Sequence, residues 1–332
     1  MKEVKLIIVG FGNIGRRLAE VLEEKKKFIA GKHGLRFSVV AIAEKNGSLV
    51  NEKGLDLKKA LKVQLSKNSH WTGRKTLEVI KSVDADIVLE LTPGDIRTGE
   101  PGLSHIMKAL KAGKDVVTSN KSPIALKFKE IMDYARKRDC EVRYEATVGG
   151  AIPLINLYKN TLQANEVKNI YGILNGTTNF ILSKMSEESV DFNIALKEAQ
   201  ELGLAESDAS YDVDGVDTAV KLVILANSLM GRNLSFKDVK TSGIREINSE
   251  TLELAKKHGS EIRLIGDVAA LEVSPRLIPK NHPLNISGAL NAVLIETDVA
   301  GDIILVGVGA GPRETSSSLL SDVIELGIRK CR

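Results

Sequence analysis

The chain has 332 residues, of which 43% are hydrophobic, 27% charged and only 4% aromatic. This length suggests two domains, and the composition is that of a globular protein whose core is mainly aliphatic. The net charge is only +4, and the basic residues are dispersed along the chain. This dispersion argues against nucleic-acid binding, so we expect no nucleic-acid partner.

The amino-terminal stretch "MKEVKLIIVGFG" has a short apolar run that ends in glycines. This pattern predicts a buried strand and not a signal peptide. No apolar stretch approaches the ~20 residues that a membrane span needs. The two cysteines, Cys140 and Cys331, do not have metal-ligand spacing. We therefore expect a reduced, cytoplasmic protein with no membrane partner.

Strand and helix patterns alternate over the first 150 residues. Apolar runs predict buried strands, and the amphipathic segments between them predict helices. The predicted strands are 4–9, 37–43, 86–91, 115–120 and 141–147, and the predicted helices are 13–25, 103–112 and 123–138. The lysine run 25–27 is expected at a solvated helix end. This alternation is typical of an α/β, doubly wound parallel sheet.

The pattern changes after Gly149 and Gly150. The predicted helices are 151–162, 177–186, 191–202 and 215–230, and the predicted strands are 167–174, 261–270, 272–279 and 292–300. We predict an α+β domain over 151–303 with an open, mostly antiparallel sheet. The first domain would span 1–150 and be completed by 304–332.

A glycine-rich turn follows the first predicted strand and opens the first helix, which is the context of a dinucleotide-binding fingerprint. Its first glycine permits a tight turn, its second lets the backbone approach a pyrophosphate, and its third lets helix and strand pack closely. The predicted cofactor contacts are Gly10, Gly12, Asn13, Ile14 and Gly15. The alternative is a glycine turn without a ligand. We favour a Rossmann-type site for NAD or NADP.

The choice between the two cofactors stays open at this point. An acidic residue after the second strand holds the ribose hydroxyls of NAD, whereas a basic residue accommodates the 2′-phosphate of NADP. The sequence offers Glu44 and Lys45 side by side. Glu44 lies farther from the fingerprint than usual, and a loop around "KKKFIAGKHG" is expected to lengthen the interval.

The stretch "ESDASYDVDGVDTAVKLVILAN" from Glu206 places several carboxylates ahead of an apolar helix that contains a single lysine, Lys221. Asp217 precedes Lys221 by four residues, which places the two on one helix face. A buried lysine can serve as an acid or base in proton transfer. Carboxylates would bind a cationic substrate group. The alternative is a set of helix-dipole and capping interactions, with Asp214 or Gly215 as the cap.

Seven motifs occur along the chain: "GFGNIG" at 10–15, "ELTP" at 90–93, "TSNKSP" at 118–123, "EATVGGAIP" at 145–153, "LNGTTNFIL" at 174–182, "AESDASYDVDGVDTAVKL" at 205–222 and "GAGPRETSSSLLSDV" at 309–323. They follow the order of the homoserine dehydrogenase family, which the chain resembles along nearly all of its length. The resemblance implies NAD(P)-dependent interconversion of L-homoserine and L-aspartate 4-semialdehyde, in threonine and methionine biosynthesis.

The resemblance also implies roles for single residues. The catalytic residues would be Lys221, Asp217 and Lys121. The residues that would hold the substrate are Glu206, Asp212, Asp208, Gly176 and Thr177. Thr177 has the alternative role of a helix cap. The further cofactor contacts would be Thr92, Pro93, Lys121, Gly203 and Gly311.

A monovalent cation site, for sodium, is implied at Glu145, Val148, Gly150 and Ile152, mainly through carbonyl oxygens. The alternative there is a hinge and a helix start. A homodimer is expected from the resemblance, together with a short form that lacks a regulatory domain. Leu204 and Ala209 replace an aromatic residue and a proline that the family often has, which affects substrate affinity and loop rigidity more than the reaction.

Three other functions compete with this interpretation. An aldehyde dehydrogenase needs a thiolate nucleophile, and neither Cys140 nor Cys331 is well placed in the sequence. A dehydrogenase acting on aspartate itself would need cationic groups where this motif is acidic. A nucleotide-sensing protein without catalysis would not need the Asp217–Lys221 pair. The segment 68–73, which contains Trp71, is predicted to be a surface loop or an interdomain contact.

Overall fold

The structure is a computed structural model that describes residues 1–330. The chain divides into two compact units. The first comprises Met1–Thr147 and the described residues from Gly311 onward, and the second comprises Val148–Ala310. None of the helices in residues 1–330 is both long and apolar enough to cross a membrane.

The first unit contains a seven-stranded sheet. Its strands are β1 (Lys2–Val9), β2 (Leu35–Glu44), β3 (Gly47–Val50), β4 (Trp71–Thr72), β5 (Ile87–Glu90), β6 (Asp115–Thr118) and β7 (Val142–Arg143). Their order across the sheet is β4-β3-β2-β1-β5-β6-β7. Strands β2, β1, β5, β6 and β7 are parallel to one another. The central strands are apolar and buried, as expected when both faces of a sheet are covered. The predicted doubly wound sheet is confirmed.

Helices α1 (Asn13–His33), α2 (Leu57–Lys62), α3 (Thr76–Ser82), α4 (Gly102–Lys111) and α5 (Lys121–Lys137) connect these strands. The prediction that α1 ends at Lys25, with a loop beyond it, was wrong. The side chains of the lysine run 25–27 are exposed within the helix, while Leu18, Leu22 and Ile29 continue its buried face. The lysine run is part of a solvated helix face and does not mark the end of the helix.

The last helix, α12 (Pro312–Arg329), completes the first unit. Its apolar residues Leu319, Leu320, Val323 and Leu326 are buried in the same core as β1 and β2. At the carboxyl end of the helix, the side chains of Arg329 and Lys330 lie 3.2 Å and 3.1 Å from the Asp115 carboxylate. Both hydrophobic packing and ion pairs therefore hold α12 in place.

The second unit contains a six-stranded sheet. Its strands are β8 (Val167–Ile173), β9 (Lys240–Thr241), β10 (Ser260–Asp267), β11 (Glu272–Pro279), β12 (Leu290–Thr297) and β13 (Asp302–Val308). The order is β13-β12-β8-β10-β11-β9, and all pairs are antiparallel except β9 with β11. The predicted open, mostly antiparallel sheet is confirmed. β13 pairs with β12 along its full length, so residues 304–308 lie in this sheet and not in the first unit, where the sequence had placed them.

The helices of the second unit are α6 (Leu154–Thr161), α7 (Gly176–Glu188), α8 (Phe192–Glu201), α9 (Ser210–Val213), α10 (Val216–Leu229) and α11 (Ser249–Lys257).

In the first unit, the strand predicted at 141–147 is shorter than expected. Only Val142–Arg143 pair with the sheet, and Glu145–Thr147 form a 3-10 turn. The segment 68–73 is not only a loop, because β4 pairs with β3 there.

Candidate active site

Helix α10 carries the lysine that the sequence singled out. Its first turn follows Gly215, which has a left-handed φ of 80° and would clash with Thr241 and Val273 if it carried a Cβ atom. Eleven successive residues of α10, 217–227, are all buried. A helix that is buried on all sides has no surface face for charged groups, so the two charged residues within it need partners in the protein.

Those residues, Asp217 and Lys221, pair with each other. Lys221 Nζ lies 2.7 Å from Asp217 Oδ2 and donates a hydrogen bond of 2.7 Å to the carbonyl oxygen of Leu174. The side chain of Lys221 is only 8% exposed and that of Asp217 only 5%. A buried ammonium with fixed acceptors has a defined position, which is what an acid or base in proton transfer requires.

Asn175 connects this pair to a second carboxylate. Its Nδ2 donates 2.9 Å to Asp217 Oδ2 and 2.7 Å to Asp212 Oδ1. Its Oδ1 accepts from the Thr178 N–H at 2.8 Å and caps α7. One amide therefore ties the beginning of α7 to the carboxylates around Lys221. The structure brings Lys221, Asp217, Asp212 and Asn175 together.

The other acidic residues of the motif lie elsewhere. Glu206 and Asp208 are exposed. Asp208 Oδ1 accepts from the Ser210 N–H at 3.0 Å, and hydrogen bonds from Ser210 lower the pKa of the Asp208 carboxyl. Asp214 forms an ion pair with Arg245. The carboxylates of this motif thus form a buried or half-buried group, with Asp217 and Asp212, and a solvent-facing group, with Glu206 and Asp208.

Gly176 and Thr177 lie in the first turn of α7. A Cβ atom on Gly176 would lie 2.5 Å from the Ala289 carbonyl oxygen, so only glycine fits. Thr177 Oγ1 donates 2.7 Å to the Leu204 carbonyl, and Asn175 is the cap of this helix. The capping alternative for Thr177 was therefore wrong, as was Asp214 as the cap of α10, where Gly215 occupies the N-cap position.

The glycine loop between β1 and α1 has the shape of an anion cradle. Gly10 has a left-handed φ of 92°, and a Cβ atom there would lie 2.9 Å from the Leu91 backbone. A Cβ atom on Gly15 would lie 2.3 Å from the Gly10 carbonyl oxygen, so loop and helix pack closely. A Cβ atom on Gly12 would meet no other atom within 4 Å, so the space beside it is open. Gly12 directly precedes the amino end of α1. These features fit a dinucleotide's pyrophosphate.

The other predicted cofactor residues of the first unit lie at strand ends. Glu44 is the half-buried last residue of β2, and Lys45 follows it and is exposed. Thr92 follows β5 and Pro93 is exposed beside it, while Lys121 is the first residue of α5. The carboxyl ends of parallel strands form the ligand crevice of such sheets.

Two further glycines were predicted to contact the cofactor. Gly311 has a φ of 131° and precedes α12, where a Cβ atom would clash with Glu314. In the second unit, Gly203 is exposed, with a φ of 71° and open space around it. Each of the two glycines adopts a backbone conformation that other residues rarely take.

The residues of the predicted cation site are almost completely buried. Glu145 in the first unit is 2% exposed. In the second unit, Val148 and Ile152 are 0% and 4% exposed, and Gly150 has a left-handed φ of 56° with the Gly309 backbone too close for a Cβ atom. Within residues 1–330 there is no cluster of three His, Cys, Asp or Glu side chains suited to a metal ion.

The thiol alternative loses support in the described part of the chain. Burial raises the pKa of the Cys140 thiol, and the nearby Asp115 charge raises it further, which disfavours the thiolate that nucleophilic attack requires. Cys331 lies outside the described residues.

Two residues with structural prominence were missed from the sequence. Asn175 lies in the motif "LNGTT", where an asparagine before a helix start is a typical N-cap signal. Glu90 begins the motif "ELTP" and is completely buried at the end of β5. A glutamate that ends an apolar strand was the available signal, because buried carboxylates are rare without a specific role.

A doubly wound sheet with a glycine-loop fingerprint, followed by a unit with a buried lysine–carboxylate pair, defines an NAD(P)-dependent oxidoreductase. The family model for the homoserine dehydrogenase NAD-binding domain matches residues 10–145, and the homoserine dehydrogenase model matches residues 153–324. The chain belongs to the homoserine dehydrogenase family, whose members act on a CH–OH group with NAD(P).

Individual relatives are similar along their whole length. The chain is 50% identical to the homoserine dehydrogenase of Methanocaldococcus jannaschii, covering 97% of this chain and 98% of that one. It is 36% identical to the NAD(+)-dependent homoserine dehydrogenase of Pseudomonas canavaninivorans, over 98% and 97%. A hyperthermophilic archaeal homoserine dehydrogenase in complex with NADPH superposes with a TM-score of 0.85 at 30% identity, covering 99% and 98%.

Proposed function

We propose that the chain interconverts L-homoserine and L-aspartate 4-semialdehyde with Lys221 as the acid and base. The observation that carries this proposal is the buried Lys221 ammonium, held at 2.7 Å by both Asp217 and the Leu174 carbonyl. In this proposal, the first unit binds the dinucleotide and the second unit binds the substrate.

In the reducing direction, Lys221 donates a proton to the aldehyde oxygen as that oxygen becomes a hydroxyl. In the oxidising direction, it accepts the hydroxyl proton. When bound, the dinucleotide would supply the hydride for reduction and would accept it in oxidation. Asp217 and Asn175 keep the Lys221 amine in place in both directions. General acid–base catalysis of this type contributes about 10²–10⁴ in rate.

The substrate also carries an ammonium group. The exposed carboxylates of Glu206 and Asp208 and the half-buried Asp212 are suited to it by charge, and we assign Glu206 the main role. Gly176 and Thr177 at the start of α7 line the same pocket in this proposal. Lys121 assists as a cationic group of the first unit. Thr92, Pro93, Gly203 and Gly311 contact the dinucleotide in this proposal.

A direct assay tests the function. Purified protein is incubated with L-homoserine and either NAD⁺ or NADP⁺, and absorbance at 340 nm is followed. We expect turnover with at least one cofactor. The ratio of kcat/KM values decides between them, because Glu44 favours NAD and Lys45 favours NADP. Absence of turnover with both cofactors, in protein that binds either of them, would support a binding protein instead.

A homodimer through the second sheet is part of the proposal. β13 is an edge strand whose residues Ile304, Val306 and Val308 are 38%, 48% and 47% exposed. An exposed apolar edge strand needs a cover. Sedimentation should show a dimer, and Val306→Glu should shift it toward monomer; a monomeric wild-type protein at micromolar concentration would contradict this.

We further propose a structural sodium ion bound by Glu145 and by carbonyl oxygens of Val148, Gly150 and Ile152, since hard cations prefer oxygen ligands. Thermal unfolding in sodium chloride should occur at higher temperature than in choline chloride. Equal Tm values would remove the ion from the proposal.

A cytoplasmic location is likewise proposed, supported by the presence of only two cysteines.

A further inference from the structure

Glu90 carries a carboxyl group in the interior of the first unit that the reaction described above does not use. It is the last residue of β5, and its exposed fraction is 0%. Burying a carboxylate is costly unless hydrogen bonds compensate for the lost water. The contacts of this side chain therefore indicate what it does.

The Glu90 side chain contacts three different segments at the same edge of the sheet. Oε1 accepts from the Thr92 N–H at 3.2 Å and from the Thr92 hydroxyl. His105 Nδ1, on α4, lies 3.4 Å from the same oxygen. Thr118 Oγ1, at the end of β6, lies 3.3 Å from Oε2 and donates 2.8 Å to the Glu90 carbonyl. One carboxylate thus connects β5, β6 and α4.

The connection continues to the start of α5. Thr118 Oγ1 accepts from the Asn120 N–H at 3.0 Å. Asn120 Oδ1 then accepts from the Ser122 N–H at 3.2 Å and caps α5. Lys121 is the first residue of that helix. Glu90 therefore fixes both segments, Thr92–Pro93 and Thr118–Lys121, that contain cofactor residues in the proposed function.

Gly102 packs closely against the side chains of Glu90 and Asn120. A Cβ atom on Gly102 would lie 2.5 Å from Asn120 Nδ2 and 3.1 Å from Glu90 Oε2. Asn120 Nδ2 is itself buried without a hydrogen-bond partner among the described residues. A purely structural role would be met more cheaply by apolar packing, because buried charges seldom improve stability over hydrophobic residues of similar volume.

We propose that Glu90 is a positioning residue for the cofactor: it holds the Thr92 and Thr118–Lys121 segments in the conformation that binds the nicotinamide half of the dinucleotide. This inference rests on the proposed function for the identity of the cofactor residues. It predicts an effect on cofactor affinity that is separate from any effect on folding.

The test compares Glu90→Gln, Glu90→Met and Thr118→Val. Glutamine keeps an acceptor for Thr92 and can donate to Thr118 Oγ1, so we expect cofactor affinity within a few-fold of wild type. Methionine removes both side-chain acceptors, and we expect the dissociation constant of the dinucleotide to rise about tenfold or more, as for the loss of a hydrogen bond to a charged group. Thr118→Val removes the hydroxyl that joins Glu90 to the Asn120 N–H but leaves the Thr92 contacts with Oε1, and it should give a smaller rise. The KM for homoserine should change little.

Asp115 provides a matched control on the same sheet. It is 1% exposed and lies at the opposite edge, at the start of β6, where its Oδ1 accepts from the Glu141 N–H at 2.8 Å. Asp115→Asn should lower the free energy of unfolding without changing cofactor affinity. Dissociation constants are measured by nucleotide fluorescence titration, and unfolding by urea.

The outcomes distinguish a positioning role of Glu90 from a purely structural role. If Glu90→Met and Asp115→Asn both lose stability and neither changes the dissociation constant, Glu90 is only structural and the inference is wrong. If Glu90→Met does not fold, an unchanged dissociation constant in Thr118→Val overturns it equally. If wild type binds the dinucleotide but does not oxidise homoserine, the proposed function fails while the binding measurements still test Glu90.

Discussion

Helices α10 and α11 each carry an acid–lysine pair with the same order and spacing, and the two pairs differ in almost everything else. Asp217 and Lys221 are 2.7 Å apart and 5% and 8% exposed, whereas Glu253 and Lys257 are 2.9 Å apart and 66% and 68% exposed. Distance and spacing therefore do not distinguish a candidate catalytic pair from a surface pair. Burial and additional partners do.

The difference originates in the flanking sequence. Lys221 stands between Val220 and Leu222, in a helix that is buried on all sides. Lys257 stands between Lys256 and His258, at the end of a helix with a single buried face that includes Leu252 and Ala255. A surface pair is screened by water and contributes little to stability, while a buried pair is fixed in position by its surroundings.

The largest expected effect comes from removing the buried lysine. Lys221→Met should lower kcat by about 10²–10⁴, because the proton donor is lost. The dissociation constant of the dinucleotide should stay near the wild-type value. Lys257→Met, the matched control, should leave kcat unchanged. Stopped-flow and steady-state assays at 340 nm measure the kcat of both variants. Equal kcat values for the two variants would contradict the role assigned to Lys221.

Removing the carboxylate of the same pair should mainly reduce stability. Asp217→Asn removes the negative charge that lies 2.7 Å from the buried ammonium, and a loss of about 3–5 kcal/mol is typical when one partner of a buried pair is removed. Urea unfolding at neutral pH measures the change. A loss of unfolding free energy no larger than that of Glu253→Gln, the variant of the exposed pair, would mean that other groups hold Lys221.

Asn175→Ala tests whether the amide joins α7 to the carboxylates. The cap of α7 is lost, which costs about 0.5–2 kcal/mol, and Asp212 and Asp217 lose a donor. We expect kcat to fall more than the stability loss explains. Asn175→Ser, which can still cap the helix, should recover stability but not kcat. Full recovery of both would reduce Asn175 to a cap.

The smallest effect is expected for the exposed pair. The hydrogen bond from Lys257 lowers the pKa of the Glu253 carboxyl. The stabilisation is therefore present above the carboxyl's unfolded pKa, about 4.3, and is lost as the pH falls through the lowered value. Glu253→Gln should leave the free energy of unfolding at pH 7 unchanged within error and flatten its acid dependence only slightly. A large change at pH 7 would invalidate this pair as a control.

Local patterns predicted much of this structure. The apolar runs of β1, β2 and β5 and the glycine loop are contiguous signals, and the four-residue spacing of Asp217 and Lys221 is a property of any helix. The same local logic failed for α1, because Lys25–Lys27 are exposed and looked like an end while Ile29 continued the buried face.

Contacts between distant residues could not be predicted in this way. Asn175 meets Asp217 only because α7 and α10 pack in one unit, and nothing in "LNGTT" indicates that partner. Glu90 meets Thr118 only because β5 and β6 are neighbours in the sheet. β13 had the pattern of a strand for either sheet, and its pairing with β12 decided its place.

The position of α12 has a consequence for synthesis on the ribosome. The first unit needs Leu319, Val323 and Leu326 to close its core, yet these residues are translated after the whole of the second unit. Domains generally fold as units as they emerge. The later-encoded unit is thus free to fold first, while the nascent amino-terminal sheet waits with an open flank for the final helix.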